Sequence, residues 1–496
     1  MTQHPEPKSP DRFVHKYIAA RMCATALVVA LFGVAADAAA EPGDRHPSDR
    51  VAFPAALMVE QGSHVIDVTQ PPFNAKGDGV TDDTAALVAA YDYALSAVRE
   101  AYAADPKKGP LTAQTASRVI YIPDGEYLIS DSFVYSGEPF TWKRWPHGIV
   151  GERLAMIRII GESREGTVIR LADRSPGFCE NAFKPVIDLG KLDFNNVPGR
   201  NTLRHLTIDT GHGNPGAVGV DWAGANQSSK RNITIRSGDG AGEVGFDLRI
   251  APVMGYHRDI TIEGFDIGVR AVPYHVSPNT LEYITLRGQR KAAIEVIDGT
   301  LSARKVLTED VPVAARVTGK GGHLVILDST LTGSGPAAIE AMGDMGAKVF
   351  ARDVQTAGFD ARFTFNTQVP SELSGVEDID EFYNGQATVT SAGTPAKSLR
   401  LPIAEFPDYP HELLQPSTWV NVDDFGASGD DDLDDTKAIQ AAIDTGASVI
   451  YLPGLTYVIE RSVRVPATLQ AIEGVFGSVR GGKDLPIVNE SSEKPL

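Results

Sequence analysis

Cysteine is scarce in this chain. Two occur among 496 residues, Cys23 and Cys179. Cys23 falls in an N-terminal stretch that reads as an export signal, so the mature chain is expected to keep Cys179 alone as a buried thiol. One cysteine forms no internal disulfide, and stability then has to come from an apolar core. Basic residues are also in deficit, 46 against 64 acidic, for a net charge of -18. That balance argues against a nucleic-acid partner, which needs a basic face. It weighs against a polyanionic partner too, unless a local basic groove overrides the global sign. The eleven histidines are scattered without metal-ligand spacing, so no metal or other cofactor is expected. Long apolar runs are lacking. Met22 to Ala36 is too short for a comfortable membrane span. Lys8, Arg12, Lys16 and Arg21 precede it and Ala38-Ala39-Ala40 follows, so residues 1–40 read as a signal peptide. The expected location is secreted or periplasmic, with no membrane association after cleavage.

Against these absences stands one segment that occurs twice. The first copy is Gly77-Asp78-Gly79-Val80-Thr81-Asp82-Asp83-Thr84, followed later by Val119-Ile120-Tyr121-Ile122-Pro123-Asp124-Gly125-Glu126-Tyr127. The second runs from Gly429 through Asp434-Asp435-Thr436 to Val449-Ile450-Tyr451-Leu452-Pro453. Each copy offers helix-capping residues, then an apolar helix, then a strand. Calcium-loop spacing is missing from these Asp-rich turns, and capping explains them better.

Between the copies, strands of the form apolar-Thr-apolar-charge recur at Leu206-Thr207-Ile208-Asp209, Ile233-Thr234-Ile235-Arg236, Ile260-Thr261-Ile262-Glu263 and Ile284-Thr285-Leu286-Arg287. A second series interleaves with them: Val218-Gly219-Val220, Phe246-Asp247-Leu248, Ile267-Gly268-Val269 and Ile294-Glu295-Val296. Two phased series with a short period mean a solenoid whose coils each add a rung to two or three parallel sheets. The phase predicts an outer threonine ladder (Thr207, Thr234, Thr261, Thr285) beside a ladder of alternating charge (Asp209, Arg236, Glu263, Arg287). The fold class is therefore all-β, a parallel β-helix with a helix-containing N-terminal cap. The expected boundaries are a β-helix over 41–390, a Pro-rich linker over 391–418, and an incomplete second repeat over 419–496.

The Gly-Asp-Gly-Val-Thr-Asp-Asp-Thr turn with its Tyr-Ile-Pro-Asp-Gly-Glu-Tyr partner resembles the opening of the pectate-lyase-like superfamily, the rhamnogalacturonase and epimerase-related right-handed parallel β-helices. Use of the motif twice is similar to glycoside hydrolase family 55, exo-acting β-1,3-glucanases with two β-helices in one chain. That resemblance implies a cleft between the helices and a catalytic acid from the second. Gly211-His212-Gly213 also resembles a polygalacturonase motif, but its partner aspartates are missing upstream.

Glycoside hydrolysis needs two carboxyls about 5–5.5 Å or about 6.5–9.5 Å apart, distances that one or two solenoid rungs supply. The densest acidic zone nominates Asp239, Glu243, Asp247 and Glu263 as catalytic, with Asp221, Trp222, Arg236 and Asp266 binding a polysaccharide. Tyr256, Phe265, Tyr274 and the Trp142-Lys143-Arg144-Trp145 loop are candidate sugar-stacking groups. Three functions stay open. The first is hydrolysis of a β-1,3-glucan-like or pectic polysaccharide. The second is a polysaccharide lyase, for which calcium would be the cofactor and Arg236, Arg249 and Arg270 candidate bases. The third is a non-catalytic glycan-binding solenoid or inactive fragment.

Overall fold

The computed structural model describes residues 65–104, 119–134, 143–145, 148–150, 158–180, 183–188, 201–221, 228–248, 255–272, 279–343, 346–385, 398–403, 419–429, 431–453, 456–474, 478–481 and 488–489. Cys23, Trp222, Arg249, Tyr274, Trp142 and the whole signal segment lie outside the described residues.

Two parallel sheets, of 14 and 9 strands, run the length of a solenoid. Seven coils carry the argument below. Coil 1 runs Lys184–Asp188 then Thr202–Asp209; coil 2, Ala217–Asp221 then Ser228–Arg236; coil 3, Val244–Leu248 then Gly255–Glu263. Coil 4 runs Ile267–Ala271 then Asn279–Arg287; coil 5, Ala292–Ile297 then Thr300–Val311; coil 6, Ala315–Thr318 then His323–Gly333; coil 7, Ile339–Ala341 then Lys348–Ala357. Neighbouring coils pair in parallel and in register, apart from a shift between Thr308 and Val311 where coil 5 meets coil 6.

The core follows from the period-2 pattern of a strand. Ile233, Ile260 and Ile284 stack on Leu206, and Ile235, Ile262 and Leu286 stack on Ile208, all at most 1% exposed. Val220, Phe246, Val269, Ile294, Ala315 and Ile339 form the matching column on the other sheet, also fully buried. Burying each such large side chain stabilises by about 1.5–3 kcal/mol.

Each long strand turns a corner at a left-handed residue: His205, Asn232, Asp259, Tyr283, Lys305, Asp328 and Asp353, with φ between 45° and 56°, and Asp310 is a second such residue in Thr300–Val311. Asn and Asp tolerate this conformation because a short polar side chain can bond locally. The corner splits each long strand into two flat halves, so every coil presents three faces.

At the N-terminal end, helix α1 (Thr84–Ala104) places Leu87, Ala90, Tyr91 and Ala94 in the solenoid core, with Tyr91 edge-on to Phe133 at 6.3 Å. At the other end Ile379–Tyr383 pairs antiparallel with Lys348–Ala357, and Phe382 packs on Phe363 with ring centres 4.9 Å apart. The polar reversal and aromatic cover finish the parallel stack. Residues 398–403 return along this end: Arg400 forks onto Asp380 at 2.9 and 2.7 Å, and Arg352 donates to the Leu401 carbonyl at 2.9 Å.

Residues 419–489 build a second core of Val422, Ile439, Ala442, Ile443, Ile450, Tyr457 and Ile459. Helix α2 (Thr436–Asp444) sits on parallel strands Trp419–Asn421, Val449–Tyr451 and Ala471–Glu473. Among the described residues, no helix is long and apolar enough to cross a membrane.

The Asp-Asp-Thr turns divide their work differently from simple capping. Asp82 and Asp434 accept the Thr84 and Thr436 amides, both at 3.0 Å, so the first Asp of each pair serves the helix start. The second Asp turns away and is buried. Asp83 accepts from the amides of Lys76 (2.7 Å) and Gly77 (3.0 Å). Asp435 accepts from Ser428 and Val458, both at 2.8 Å. These residues pin a loop to the helix and are spoken for by backbone donors. Cys179 has no disulfide partner and is partly exposed, not buried as expected.

Candidate functional site

Each face of the solenoid carries one column of charge, and the three columns differ; on the first face Asp221 and Asp247 are buried. On the third face, after the corner, Asp209, Arg236, Glu263, Arg287 and Glu309 alternate in sign in continuous register. Arg236 bonds Asp209 at 2.7 Å, and Arg287 lies 3.5 Å from Glu263 and 2.6 Å from Glu309. Opposite charges on adjacent strands stabilise by about 0.2–1 kcal/mol per pair. The threonine ladder beside it forms in register, and Leu307 ends it on the fifth coil. Arg164 lies along it: Thr207 donates to the Arg164 carbonyl at 2.6 Å, and the guanidinium donates to Thr234 (2.8 Å) and Thr261 (2.5 Å). This face is closed by its own side chains.

The other two faces break the alternation in the same three coils. On the first face the column reads Asp188, Asp221, Asp247, then Arg270, Glu295, Arg316, Glu340. On the second it reads Arg204, Arg231, Arg258, then Glu282, Arg304, Leu327, Arg352. Coils 1–3 therefore stack three carboxylates on one face and three guanidiniums on the next. From coil 4 onward opposite charges meet again: Arg304 bonds Glu282 at 3.1 Å and Arg316 bonds Glu340 at 3.0 Å. Like charges on neighbouring strands are destabilising, and such local conflicts concentrate at functional sites.

The interior beneath this stretch is polar as well. Lys230 and His257 occupy adjacent rungs where the flanking coils place Leu203 and Leu281. Both are fully buried around the Phe246 ring, Lys230 Nζ at 4.7 Å and the His257 ring edge-on at 5.2 Å. His257 also meets Asn279 at 3.1 Å. Burial pushes both far below their ordinary pKa values, and the Asp221 carboxylate partly offsets this for Lys230.

Glu473, on strand Ala471–Glu473, interacts electrostatically with Arg204 of the arginine column. Burial raises the Glu473 pKa above its ordinary value, and Arg204 opposes that rise. In return Glu473 partly offsets the depression of Arg204, which burial and the neighbouring Arg231 bring down to about 10.

The structure divides the residues nominated from sequence. Asp221 and Asp247 sit on adjacent rungs of the acidic column, and Glu243 joins them through Arg270, which lies 3.6 Å from Glu243 and 2.7 Å from Asp247. Glu263 and Arg236 belong to the alternating column on another face. Asp239 accepts from the amides of Gly213 (2.7 Å) and Ala241 (3.0 Å) and from Ser237 (3.1 Å), and these bonds hold its pKa below the usual carboxylate range against the effect of burial. Asp266 pairs with Arg290 at 2.7 Å and Lys291 at 2.8 Å. Phe265 is a buried core residue, while Tyr256 is partly exposed and carries Arg231 over its ring at 5.1 Å. His212 is exposed and 3.2 Å from Asp173. Sequence reasoning missed Asp188, Arg204, Arg231, Arg258 and Glu473. A signal for the arginines was present: each stands two residues ahead of an apolar-Thr pair, in Arg204-His205-Leu206-Thr207, Arg231-Asn232-Ile233-Thr234 and Arg258-Asp259-Ile260-Thr261.

The model of the family described as rhamnogalacturonase A/epimerase, pectate lyase-like matches residues 67–305 and 419–472, more than half of the chain. The chain belongs to this family. A glucan 1,3-beta-glucosidase of Cochliobolus carbonum is 23% identical over 82% of this chain and 52% of that protein. A probable glucan endo-1,3-beta-glucosidase of Arthroderma benhamiae is 22% identical over 68% of this chain and 36% of its own length. The family member described here thus spans about half, or less, of the curated relatives it matches. Among solved structures, the A-module of a mannuronan C-5 epimerase from Azotobacter vinelandii is 14% identical, covering 85% of this chain and 91% of that one with a TM-score of 0.37.

Proposed function

We propose that the protein hydrolyses glycosidic bonds of a polysaccharide along coils 1–3, with Glu473 as general acid and Asp221, on the middle rung of the acidic column, as the second carboxyl. The observation that carries this reading is Glu473: a carboxyl whose pKa burial raises, set beside a stack of guanidiniums. A general acid has to hold its proton at working pH, and a raised pKa shifts the carboxyl in that direction. The second carboxyl has to stay charged. Asp221 is buried, lies near the buried Lys230 and stands one rung from Asp247, which bonds Arg270 at 2.7 Å. Asp247 and Glu243 then act as positioning residues through Arg270. The two relatives named for 1,3-β-glucan hydrolysis support a β-1,3-linked backbone as the first substrate to try. Export, read from residues 1–40, is part of the same proposal.

The test is incubation of the purified full chain with laminarin, polygalacturonate, rhamnogalacturonan and xylan, with and without calcium. Reducing ends and the ultraviolet absorbance of unsaturated uronides are both followed. Reducing ends without absorbance, lost in Glu473→Gln and Asp221→Asn, support hydrolysis. Calcium-dependent absorbance makes the protein a lyase, and a folded protein silent on every substrate is a binding module.

A further inference from the structure

We propose that Lys230 and His257 form an acid-sensitive latch inside coils 2 and 3, so that these two coils open before the rest of the solenoid when His257 takes a proton. This device is independent of the reaction proposed above.

Two basic side chains stand where the fold otherwise places leucine. The inward column reads Leu203, Lys230, His257, Leu281, Ala303 in register. Lys230 and His257 are fully buried on adjacent rungs and share the Phe246 ring. Gly255 leaves the space that the imidazole fills, since a Cβ there would lie 2.5 Å from the His257 Cε1.

This setting fits a neutral imidazole. His257 Nε2 lies 3.1 Å from Asn279 Oδ1, an acceptor, so that nitrogen carries the hydrogen. Nδ1 then holds the lone pair, and among the described residues it has no hydrogen-bond partner. A proton added there brings both a charge and an unsatisfied donor into an apolar wall, and each is costly. The surrounding elements do not relieve it. Coil 2 presents Lys230, coil 4 presents Asn279 and Leu281, and the first strand of coil 3 presents Phe246. Asp221 bears on Lys230, and Asp247 bonds Arg270. Burial, and then the neighbouring Lys230, hold the His257 pKa well below its ordinary 6.5, against the opposing bond to Asn279.

An imidazole that stays neutral when packed and charges when exposed favours opening in acid. Well above pH 6.5 both forms are neutral and no stability is lost. Below it the opened form binds a proton that the packed form refuses, so each pH unit multiplies the opened population about tenfold. In a solenoid each coil touches only its neighbours, and such an opening stays local. Asp221 and Asp247 lie on these two coils, so the opening takes the acidic column apart.

The experiment follows amide hydrogen exchange of the full chain by mass spectrometry from neutral pH down through 6.5, with rates corrected for the intrinsic effect of pH. Protection of Ser228–Arg236 and Gly255–Glu263 should fall about tenfold per pH unit. His323–Gly333 of coil 6 should keep its protection over the same range. His257→Leu should abolish the acid dependence, whatever it does to the melting temperature. His257→Gln, which keeps a donor for Asn279 and does not titrate, should do the same and serves if the leucine variant does not fold. Lys230→Met should weaken the dependence, and His323→Gln, which changes an exposed histidine, should leave it intact. Acid dependence that survives both His257 substitutions, an equal loss of protection in coil 6, or no acid-dependent loss in coils 2 and 3 overturns the proposal.

Discussion

Coils 1–3 and coils 4–7 share one strand plan, one corner residue per rung and one kind of apolar core, yet they treat charge in opposite ways. In coils 4–7 the first two faces pair Arg270 with Glu295, Arg316 with Glu340 and Arg304 with Glu282 across rungs. In coils 1–3 those faces stack Asp188, Asp221 and Asp247, and Arg204, Arg231 and Arg258. The third face alternates through coils 1–5 and gives an internal control, because it belongs to the same strands as the arginine column. Alternation is thus the structural habit of this solenoid. The like-charged stretch is a departure confined to coils 1–3.

The largest expected effect tests the functional side of that contrast. Glu473→Gln should lower kcat by about 10²–10⁴-fold, the range lost with a general acid, read as reducing-end release from laminarin. Its mirror on the alternating side, Glu309→Gln, should leave the rate within a factor of about two.

Next in size is the buried pair that joins the two regimes. Asp247 has no exposed side-chain surface and bonds Arg270 at 2.7 Å. Asp247→Ala leaves that guanidinium with only the longer Glu243 contact at 3.6 Å and should cost up to about 3–5 kcal/mol in denaturant unfolding. A cost near zero would show that the transition between coils 3 and 4 does not depend on this pair.

The raised pKa of Glu473 makes a pH prediction with a definite sign. A group whose folded pKa lies above its unfolded value adds stability only while protonated. Its contribution is present below the unfolded pKa and lost as pH rises through the folded one. Glu473→Gln should therefore melt higher than the unsubstituted protein at neutral pH, and the gap should close as pH falls below the ordinary carboxylate value of 4.5. The same ionisation should set the alkaline limb of kcat/KM.

Much of this organisation is legible in the residues alone. The apolar-Thr-apolar-charge strands announce the solenoid, its register and the alternating third face, because a strand exposes every second residue and the rung period brings equivalents together. The three-faced coil is harder to read. Its corner is a single left-handed residue that is His, Asn, Asp, Tyr or Lys, so no glycine marks it. Without the corner, Arg204, Arg231 and Arg258 read as strand-leading charges instead of a column on a face of their own. Glu473 carries no local signal: its environment is made by Arg204, far away in the chain.

The most direct test of the central claim compares Arg231→Gln with Arg287→Gln in the same melting and hydrolysis assays. Arg231 lies between two guanidiniums in the stacked column, whereas Arg287 lies between two carboxylates in the alternating one. The account predicts opposite signs. Arg231→Gln should melt higher and hydrolyse more slowly. Arg287→Gln should lose about 0.2–1 kcal/mol per broken pair and hydrolyse at an undiminished rate. An Arg231→Gln protein that melts lower and keeps its full rate would contradict it.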